Sequence, residues 1–159
     1  MANISRRNFI ASAGLLLAGT LVGCGSNGSS TGSAAGSAAS GTTYTNGVIK
    51  LTEHSALDAA NKGFVEALKK SGLNVKFDQQ SAQNDQSACQ TISSKFVSDG
   101  VDLIYAIATP AAQAAAAATT DIPIVGCAIT DYAASGLVQD NDKPGTNVTG
   151  ASDLTPVAE

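Results

Sequence analysis

The hydrophobic positions of this chain recur with two periods, one typical of strands and one typical of helices. Residues 103–108, Leu-Ile-Tyr-Ala-Ile-Ala, form a continuous apolar run of strand length, which is the pattern of a strand buried on both faces of a parallel sheet. Residues 124–129, Ile-Val-Gly-Cys-Ala-Ile, repeat this pattern. Residues 48–51, Val-Ile-Lys-Leu, predict a short strand. The alternation of apolar and polar side chains at residues 75–78 predicts a half-exposed strand at a sheet edge.

Three helices are predicted between these strands. The first has Ser55 as its N-cap, and the second runs from about residue 86 to residue 100. The third consists mainly of alanine, the strongest helix former, with Thr109 as the predicted N-cap and Pro110 at the first helical position. The first helix carries a single apolar stripe, which consists of Leu57, Ala60, Phe64 and Leu68.

The alternation of strands and helices predicts an α/β fold. It indicates a three-layer lobe of the flavodoxin-like kind, in which a parallel sheet has right-handed crossovers and helices on both faces. The half-exposed second strand and the buried third and fourth strands predict the strand order 2-1-3-4, with a fifth strand near residues 147–151. In that order the turns after strands one, three and four line one crevice at the carboxyl edge of the sheet, where open α/β sheets bind ligands.

The turn between the third strand and the third helix holds the main binding candidates. The hydroxyl of Thr109 and the backbone N–H groups of Ala111 and Ala112 can hold a carboxylate, because a helix N-terminus attracts anions. Ala108 contributes the backbone of this junction. Gln113 lies one turn into the helix and faces either the crevice or solvent. A well-capped strand-to-helix unit without a ligand is the alternative for this stretch.

The other two turns add further candidates. Glu53 can neutralise an ammonium group, and His54 is either a ligand contact or a surface residue. Thr130 and Asp131 can bind a hydroxyl or an amine, although Asp131 is also suited to capping the next turn. Tyr132 either stacks on an aromatic ligand or belongs to the core or its rim.

The amino-terminal residues are predicted to be an export signal. Arg6-Arg7 and the residues around them resemble the twin-arginine signal, although a general secretory signal also begins with basic residues. Residues 21–24, Leu-Val-Gly-Cys, resemble the lipobox of bacterial lipoproteins. We therefore expect a signal peptide at residues 1–23, lipidation at Cys24, a flexible linker rich in Gly, Ser, Ala and Thr at residues 24–43, and a folded lobe at residues 44–159. The protein would then be lipid-anchored on the extracytoplasmic side of the cell membrane.

Composition narrows the classes of function. Of 159 residues, 14% are charged and the formal net charge is −4, which argues against nucleic acid as a partner. The one His has no nucleophile placed beside it by a motif, and no phosphate-binding loop, dinucleotide fingerprint or metal-ligand spacing occurs. The sequence therefore predicts no enzyme, no cofactor and no metal site. Cys89 and Cys127 occupy apolar positions and are interpreted as buried thiols in preference to a disulfide.

Four segments of the chain together resemble one family. They are residues 48–60, residues 95–97, residues 102–113 with the run Ala-Thr-Pro-Ala-Ala-Gln, and residues 147–153 with Asn-Val-Thr-Gly and Ser-Asp. This set is similar to the ABC-transporter substrate-binding proteins whose members include tryptophan and tyrosine binders. The resemblance extends from about residue 47 to the end of the chain.

The resemblance implies two α/β lobes that close around a small molecule, an amino acid in the members named, and deliver it to an ABC permease. It gives Asp153 the position of the hinge-side acid of the family. Since residue 159 falls where the family would cross into its second lobe, we expect an amino-terminal lobe only, with half a cleft. Two alternatives stay open, a single-domain flavodoxin-like or receiver-like binding module and a non-functional truncated fragment. A receiver needs an Asp at the end of the third strand, where this chain has Ala108 and Thr109.

Overall fold

The computed structural model of the protein describes residues 42–153. The predicted signal segment, Cys24 and almost all of the predicted linker lie outside the described residues, as do residues 154–159. Along the chain the elements are β1 (Thr43–Lys50), α1 (Ser55–Lys70), β2 (Asn74–Ser81), α2 (Gln86–Asp99), β3 (Leu103–Ile107), α3 (Thr109–Ala118), β4 (Ile124–Ile129) and β5 (Val148–Ser152).

The five strands lie parallel in one sheet with the order β2-β1-β3-β4-β5, which confirms the predicted order and the predicted fifth strand. Lys50 at the end of β1 lies opposite Ser81 of β2 and Ile107 of β3. Ile107 in turn lies opposite Cys127 of β4. Because the strands run in the same direction in this register, the turns that follow β1, β3 and β4 meet at one edge of the sheet.

Helices cover both faces of the sheet, as predicted, but the two faces differ in the size of their core. On one face α2 and α3 pack against the sheet in a large cluster that includes Ile49, Phe96, Ile104, Ala111 and Ile124. On the other face α1 packs against a small cluster of Val48, Tyr105 and Ile107. The predicted stripe of α1 faces the sheet, yet its residues stay half-buried and α1 has no fully buried residue.

The strand ends differ from those predicted. β1 begins at Thr43, five residues before the predicted start at residue 48, because its polar residues pair along β2 from Thr43 opposite Asn74 onward. β2 likewise extends to Ser81. Backbone pairing with a neighbouring strand stabilises these polar positions, which a pattern of apolar residues does not detect.

Two of the predicted helix caps are wrong. The N-cap of α1 is His54, whose extended backbone allows its Nδ1 atom to accept a hydrogen bond from the Ala56 N–H at 3.2 Å, so Ser55 is the first helical residue. Thr109 is not the N-cap of α3 but its first residue, because the chain turns into the helix at Ala108, which makes no side-chain cap. The end of α2 is as predicted, with Gly100 left-handed at a φ of 65°.

The two cysteines of the described part are free thiols, as predicted, but only Cys89 is buried as predicted, whereas Cys127 is partly exposed. Cys89 is fully buried in the large cluster, whereas Cys127 packs against the small cluster on the opposite face of the sheet. The sheet therefore separates the two sulfur atoms. Among the described helices, none is both long and apolar enough to cross a membrane.

Candidate functional site

The structure brings the three predicted turns together at the carboxyl edge of the sheet. Backbone hydrogen bonds join them in sequence. The Leu51 N–H donates to the Ile107 carbonyl at 3.3 Å, and the Ala108 N–H donates to the Cys127 carbonyl at 2.9 Å. The turn after β1 therefore lies beside the turn after β3, and that turn lies beside the turn after β4.

The junction between β3 and α3 has an unusual backbone. Ala108 has a φ of 83° and a ψ of 151°, a region that is accessible almost only to glycine and costs about 1–3 kcal/mol for other residues. This turn aims the start of α3 at the sheet edge. The Ala112 N–H donates to the Ala108 carbonyl at 3.1 Å, and Pro110 has no N–H. The N–H groups of Thr109 and Ala111 make no hydrogen bond within residues 42–153, but Ala111 is fully buried, so the Thr109 N–H is the helical donor left for an anionic group. The Ala112 N–H, which was predicted as a second donor beside that of Ala111, is already bonded.

The turn after β1 is held by the ammonium group of Lys50, a residue that is only partly buried. The side chain of Lys50 is only 12% exposed, and its Nζ binds Glu53 Oε2 at 2.9 Å and also binds Asp58 in the first turn of α1. Asp58 and then Glu53 raise the pKa of Lys50. Glu53, predicted as a partner for a ligand ammonium, thus already has a cationic partner, and His54 caps α1.

The turn after β4 is ordered by Asp131. Its Oδ1 atom accepts hydrogen bonds from the Ala134 N–H at 2.9 Å and from the Asn141 amide at 3.1 Å. The bond from Ala134 and then the bond from Asn141 lower the pKa of Asp131. The side chain of Gln113 reaches the same turn, where its amide donates to the Ser135 carbonyl at 2.9 Å. Asp131 and Gln113 therefore fix the shape of this side of the crevice.

Tyr132 belongs to the core. Its side chain is buried in the large cluster, and its hydroxyl donates to the Ala151 carbonyl at 3.1 Å. Burial raises its pKa to about 12, so the hydroxyl keeps its proton for this bond at neutral pH. Of the two roles that the sequence left open for this residue, the structure shows the core role.

A cavity of 360 Å³ lies beside the ends of β4 and β5. It is lined by Thr130, Tyr132, Val138, Asn141, Pro144, Thr149, Gly150 and Ser152. Thr130 and Tyr132 are the residues named from the sequence, and the others were missed. A Cβ atom at Gly150 would lie 2.1 Å from the Tyr132 hydroxyl, so glycine is required there. The Gly in the Asn-Val-Thr-Gly run was the available signal for this close approach.

The segment that follows β5 is tied to the end of β4. The Asp153 N–H donates to the Ile129 carbonyl at 3.2 Å, and the Ser152 hydroxyl donates to the Thr130 carbonyl at 2.5 Å. Asp153, predicted at the hinge side, therefore lies next to Thr130 at the carboxyl edge. Residues 42–153 contain no group of three or more His, Cys, Asp or Glu side chains placed to share a metal ion.

Comparison with known proteins identifies relatives of this lobe. Residues 46–159 match the sequence model of a family described as ABC transporter substrate binding protein, which confirms the resemblance found in the sequence. A tyrosine-binding protein of Clostridioides difficile strain R20291 is 49% identical over 150 residues, which cover 91% of this chain and 44% of that protein.

Two solved structures share the fold. The ligand-free, open form of a substrate-binding protein with adhesive properties from Clostridium difficile has a TM-score of 0.70 and 52% identity. The ABC domain in complex with L-Trp from Streptococcus pneumonia has a TM-score of 0.69 and 42% identity. Each alignment covers 72% of this chain and 40% of the solved chain. The chain thus spans less than half the length of these relatives.

Proposed function

Because this chain belongs to the family of ABC transporter substrate-binding proteins, we propose that it is the amino-terminal lobe of a solute receptor for an ABC importer. The proposed ligand is an amino acid, with tyrosine and tryptophan as the first candidates. The names of the tyrosine-binding relative and of the L-Trp complex support this choice. The receptor role is solute binding and transfer to the permease, without a chemical reaction.

The start of α3 is the observation that carries this proposal. Thr109, partly exposed, lies at the sheet edge between two other turns, and neither its N–H nor its hydroxyl makes a hydrogen bond within the described residues. Such an arrangement suits the α-carboxylate of an amino acid. In this proposal Ala108 presents these donors, while Glu53, His54, Gln113, Thr130, Asp131 and Asp153 form or support the surrounding wall.

One lobe provides one wall of the binding site. Small-molecule sites bury most of the ligand surface, and the three turns of this lobe lie along an open edge of the sheet. This chain covers only 44% of the tyrosine-binding relative. We therefore propose that the remaining length forms a second lobe, which closes over the ligand by hinge motion after Asp153. In this proposal residues 1–23 direct export, acylated Cys24 holds the protein at the extracytoplasmic face of the membrane, and residues 24–43 tether the lobe.

Calorimetric titration tests this function. The sample is a chimera in which this chain is followed by the unaligned remainder of the Clostridioides difficile relative, hereafter the two-lobe chimera. It is titrated with tyrosine, tryptophan and a panel of other amino acids, beside the 159-residue chain. We expect saturable binding of an aromatic amino acid by the chimera and much weaker binding by the single lobe. If the chimera bound none of the amino acids, the proposal that the ligand is an amino acid would be wrong.

The role of Thr109 is tested in the same chimera. Thr109→Val removes the hydroxyl and keeps the backbone N–H and the side-chain shape. A hydrogen bond to a charged group contributes about 1.5–3 kcal/mol, so the affinity should fall by about 10-fold to 100-fold. Thr120→Val is the matched control, because Thr120 is an exposed threonine beyond the other end of α3. Equal affinities of the two variants would exclude the Thr109 hydroxyl as a ligand contact.

A further inference from the structure

An apolar groove lies at the edge of the sheet opposite the candidate site, where β1, β2 and β3 begin. Its volume is 400 Å³. The apolar side chains that line it come from the end of α1, from the turn after α1 and from the first residues of the three strands, and they are Leu68, Leu73, Tyr44, Val75 and Leu103. We call this surface the amino-edge groove.

The amino-edge groove contains exposed apolar surface. Among residues 42–153, the large hydrophobic side chains that are exposed are Tyr44, at 41%, and Leu73, at 48%, and both line the groove. Asp102 also lines it, and its carboxylate accepts a hydrogen bond from the Thr45 N–H at 2.7 Å. Scattered apolar residues are normal on a protein surface, whereas their concentration in one place marks an interaction surface.

Lysines without ion-pair partners surround this groove. Three lysines of the described part bind carboxylates, namely Lys50, Lys62 and Lys95. The lysines of that part without an ion pair are Lys69, Lys70, Lys76 and Lys143. Lys69 and Lys70 follow Leu68 in the last turn of α1, and Lys76 follows Val75 on β2. All three are exposed, so positive charge collects beside the groove although the chain has a net charge of −4.

The groove also lies where the chain enters the lobe. β1 begins at Thr43, where the predicted linker ends, and Tyr44 is the next residue. In the proposed anchoring, acylated Cys24 is inserted in the bilayer, and a flexible linker of about 20 residues spans about 25 Å. Thr43 would therefore stay within reach of the membrane surface.

We propose that the amino-edge groove is a membrane-contact surface, which docks on the headgroup region of a bilayer that contains anionic phospholipids. This inference rests on the proposed anchoring of the chain at the membrane. Tyrosine and leucine favour the bilayer interface, and free lysines are attracted to anionic headgroups. The turns after β1, β3 and β4 lie at the other edge of the sheet, so the docked lobe keeps its proposed binding wall away from the bilayer.

A single tryptophan can report this contact, because the native chain contains none. Leu73→Trp in the 159-residue chain is mixed with vesicles of phosphatidylcholine, with or without phosphatidylglycerol. We expect its emission to move to shorter wavelength, with quenching by brominated lipid, on the vesicles that contain phosphatidylglycerol and much less on the others. Tyr44→Trp, a conservative change in the same groove, should respond in the same way. No response of either variant on any vesicle would overturn the proposal.

Charge is tested by two matched double variants, both made in the Leu73→Trp protein. Each lysine near an anionic surface strengthens binding by about 5-fold, so Lys69→Gln with Lys70→Gln should weaken docking by about 25-fold and remove the tryptophan response. Lys62→Gln with Lys143→Gln removes the same charge from exposed positions elsewhere and should keep the response. The same response from the two double variants would contradict the proposal.

A control reporter shows whether the contact is confined to the groove. Gln90→Trp, at an exposed position of α2 on the opposite face of the sheet, should not respond to vesicles. A response as large as that of Leu73→Trp would overturn the proposal, because the contact would not be specific to the groove. A shift of Leu73→Trp that grows with protein concentration in the absence of vesicles would also overturn it, since a second copy would then occupy the groove.

The two-lobe chimera provides the last comparison. Leu73→Trp should respond to anionic vesicles in the chimera as it does in the 159-residue chain. A loss of the response there would overturn the proposal, because the remainder of the longer protein would then cover the groove. None of these measurements uses a ligand, so the amino-acid titration decides the proposed solute binding separately.

Discussion

Ala108 shows how a single residue prepares the candidate site. Its φ of 83° forces the sharp turn from β3 into α3, which leaves Thr109, the first residue of the helix, partly exposed at the sheet edge. The sequence placed Thr109 and Ala108 at this junction correctly, because an apolar strand followed by Thr-Pro and alanines is a strong local signal. The sequence did not reveal the positive φ of Ala108, because alanine rarely adopts a positive φ. The surrounding fold must hold the residue in this conformation.

Replacing Ala108 tests this strain. Ala108→Gly should raise the free energy of unfolding by about 1 kcal/mol, because relief of the left-handed conformation exceeds the extra entropy of unfolded glycine. Ala106→Gly in the buried, regular part of β3 is the control, and it should lower that free energy by at least about 1 kcal/mol. Urea denaturation measures the free energy of unfolding of both variants. A loss of stability of similar size in the two variants would show that Ala108 is unstrained.

The charge of Asp131 is expected to make the stability of the folded protein depend on pH. Its pKa is lowered in the folded protein, so it binds its proton more weakly there than in the unfolded chain. Its stabilising effect is therefore complete above the unfolded pKa, near 3.8, and is lost as the pH falls through the lower folded pKa. Asp131→Asn should lower the melting temperature at pH 7, and the difference should shrink in acid.

The control for this prediction is Asp121→Asn, because the Asp121 carboxylate makes no hydrogen bond or ion pair within the described part of the chain. It should leave the melting temperature unchanged. If the effect of Asp131→Asn were the same at pH 7 and pH 3, the bonds from Ala134 and Asn141 would not depend on its charge.

At the level of elements, the apolar patterns predicted α1, α2 and the first four strands, the run of alanines predicted α3, and a fifth strand was expected near β5; the ends of these elements were less accurate. The N-cap of α1 was assigned to Ser55 because serine favours that position. The N-cap is instead His54, one residue earlier, whose Nδ1 atom accepts the capping hydrogen bond from the Ala56 N–H. The start of β1 was missed because pairing with β2, and not apolar residues, defines it. Contacts between distant segments decide such boundaries.

Two glycines test how the elements pack. Gly63 lies within α1, and an added Cβ would meet nothing within 4 Å, so Gly63→Ala should raise the free energy of unfolding by about 0.5–1 kcal/mol through helix propensity. Gly47 of β1 would place a Cβ 2.6 Å from the Phe96 ring of α2. Gly47→Ala should therefore lower that free energy by about 1–3 kcal/mol. We expect the two substitutions to change the free energy of unfolding, measured with urea, in opposite directions. A gain from both would mean that α2 is not packed closely on β1.

At the scale of the whole molecule, the sequence predicted the sheet order because edge and central strands differ in pattern. The half-exposed alternation of β2 and the apolar runs of β3 and β4 are visible without contacts. The cavity beside β5 was not predictable in this way. Its lining comes from the long segment between β4 and β5 and from Thr149 and Gly150, whose closeness depends on the folded path of that segment.

We propose that the turns after β1, β3 and β4 form the ligand-binding wall of this lobe. Amide chemical shifts of the isotope-labelled two-lobe chimera, recorded during titration with the aromatic amino acid that binds, test it most directly. We expect the largest changes within this lobe at residues 52–55, 108–112 and 130–132. Changes concentrated around the β5 cavity, at residues 138–150, with residues 108–112 unaffected, would contradict it.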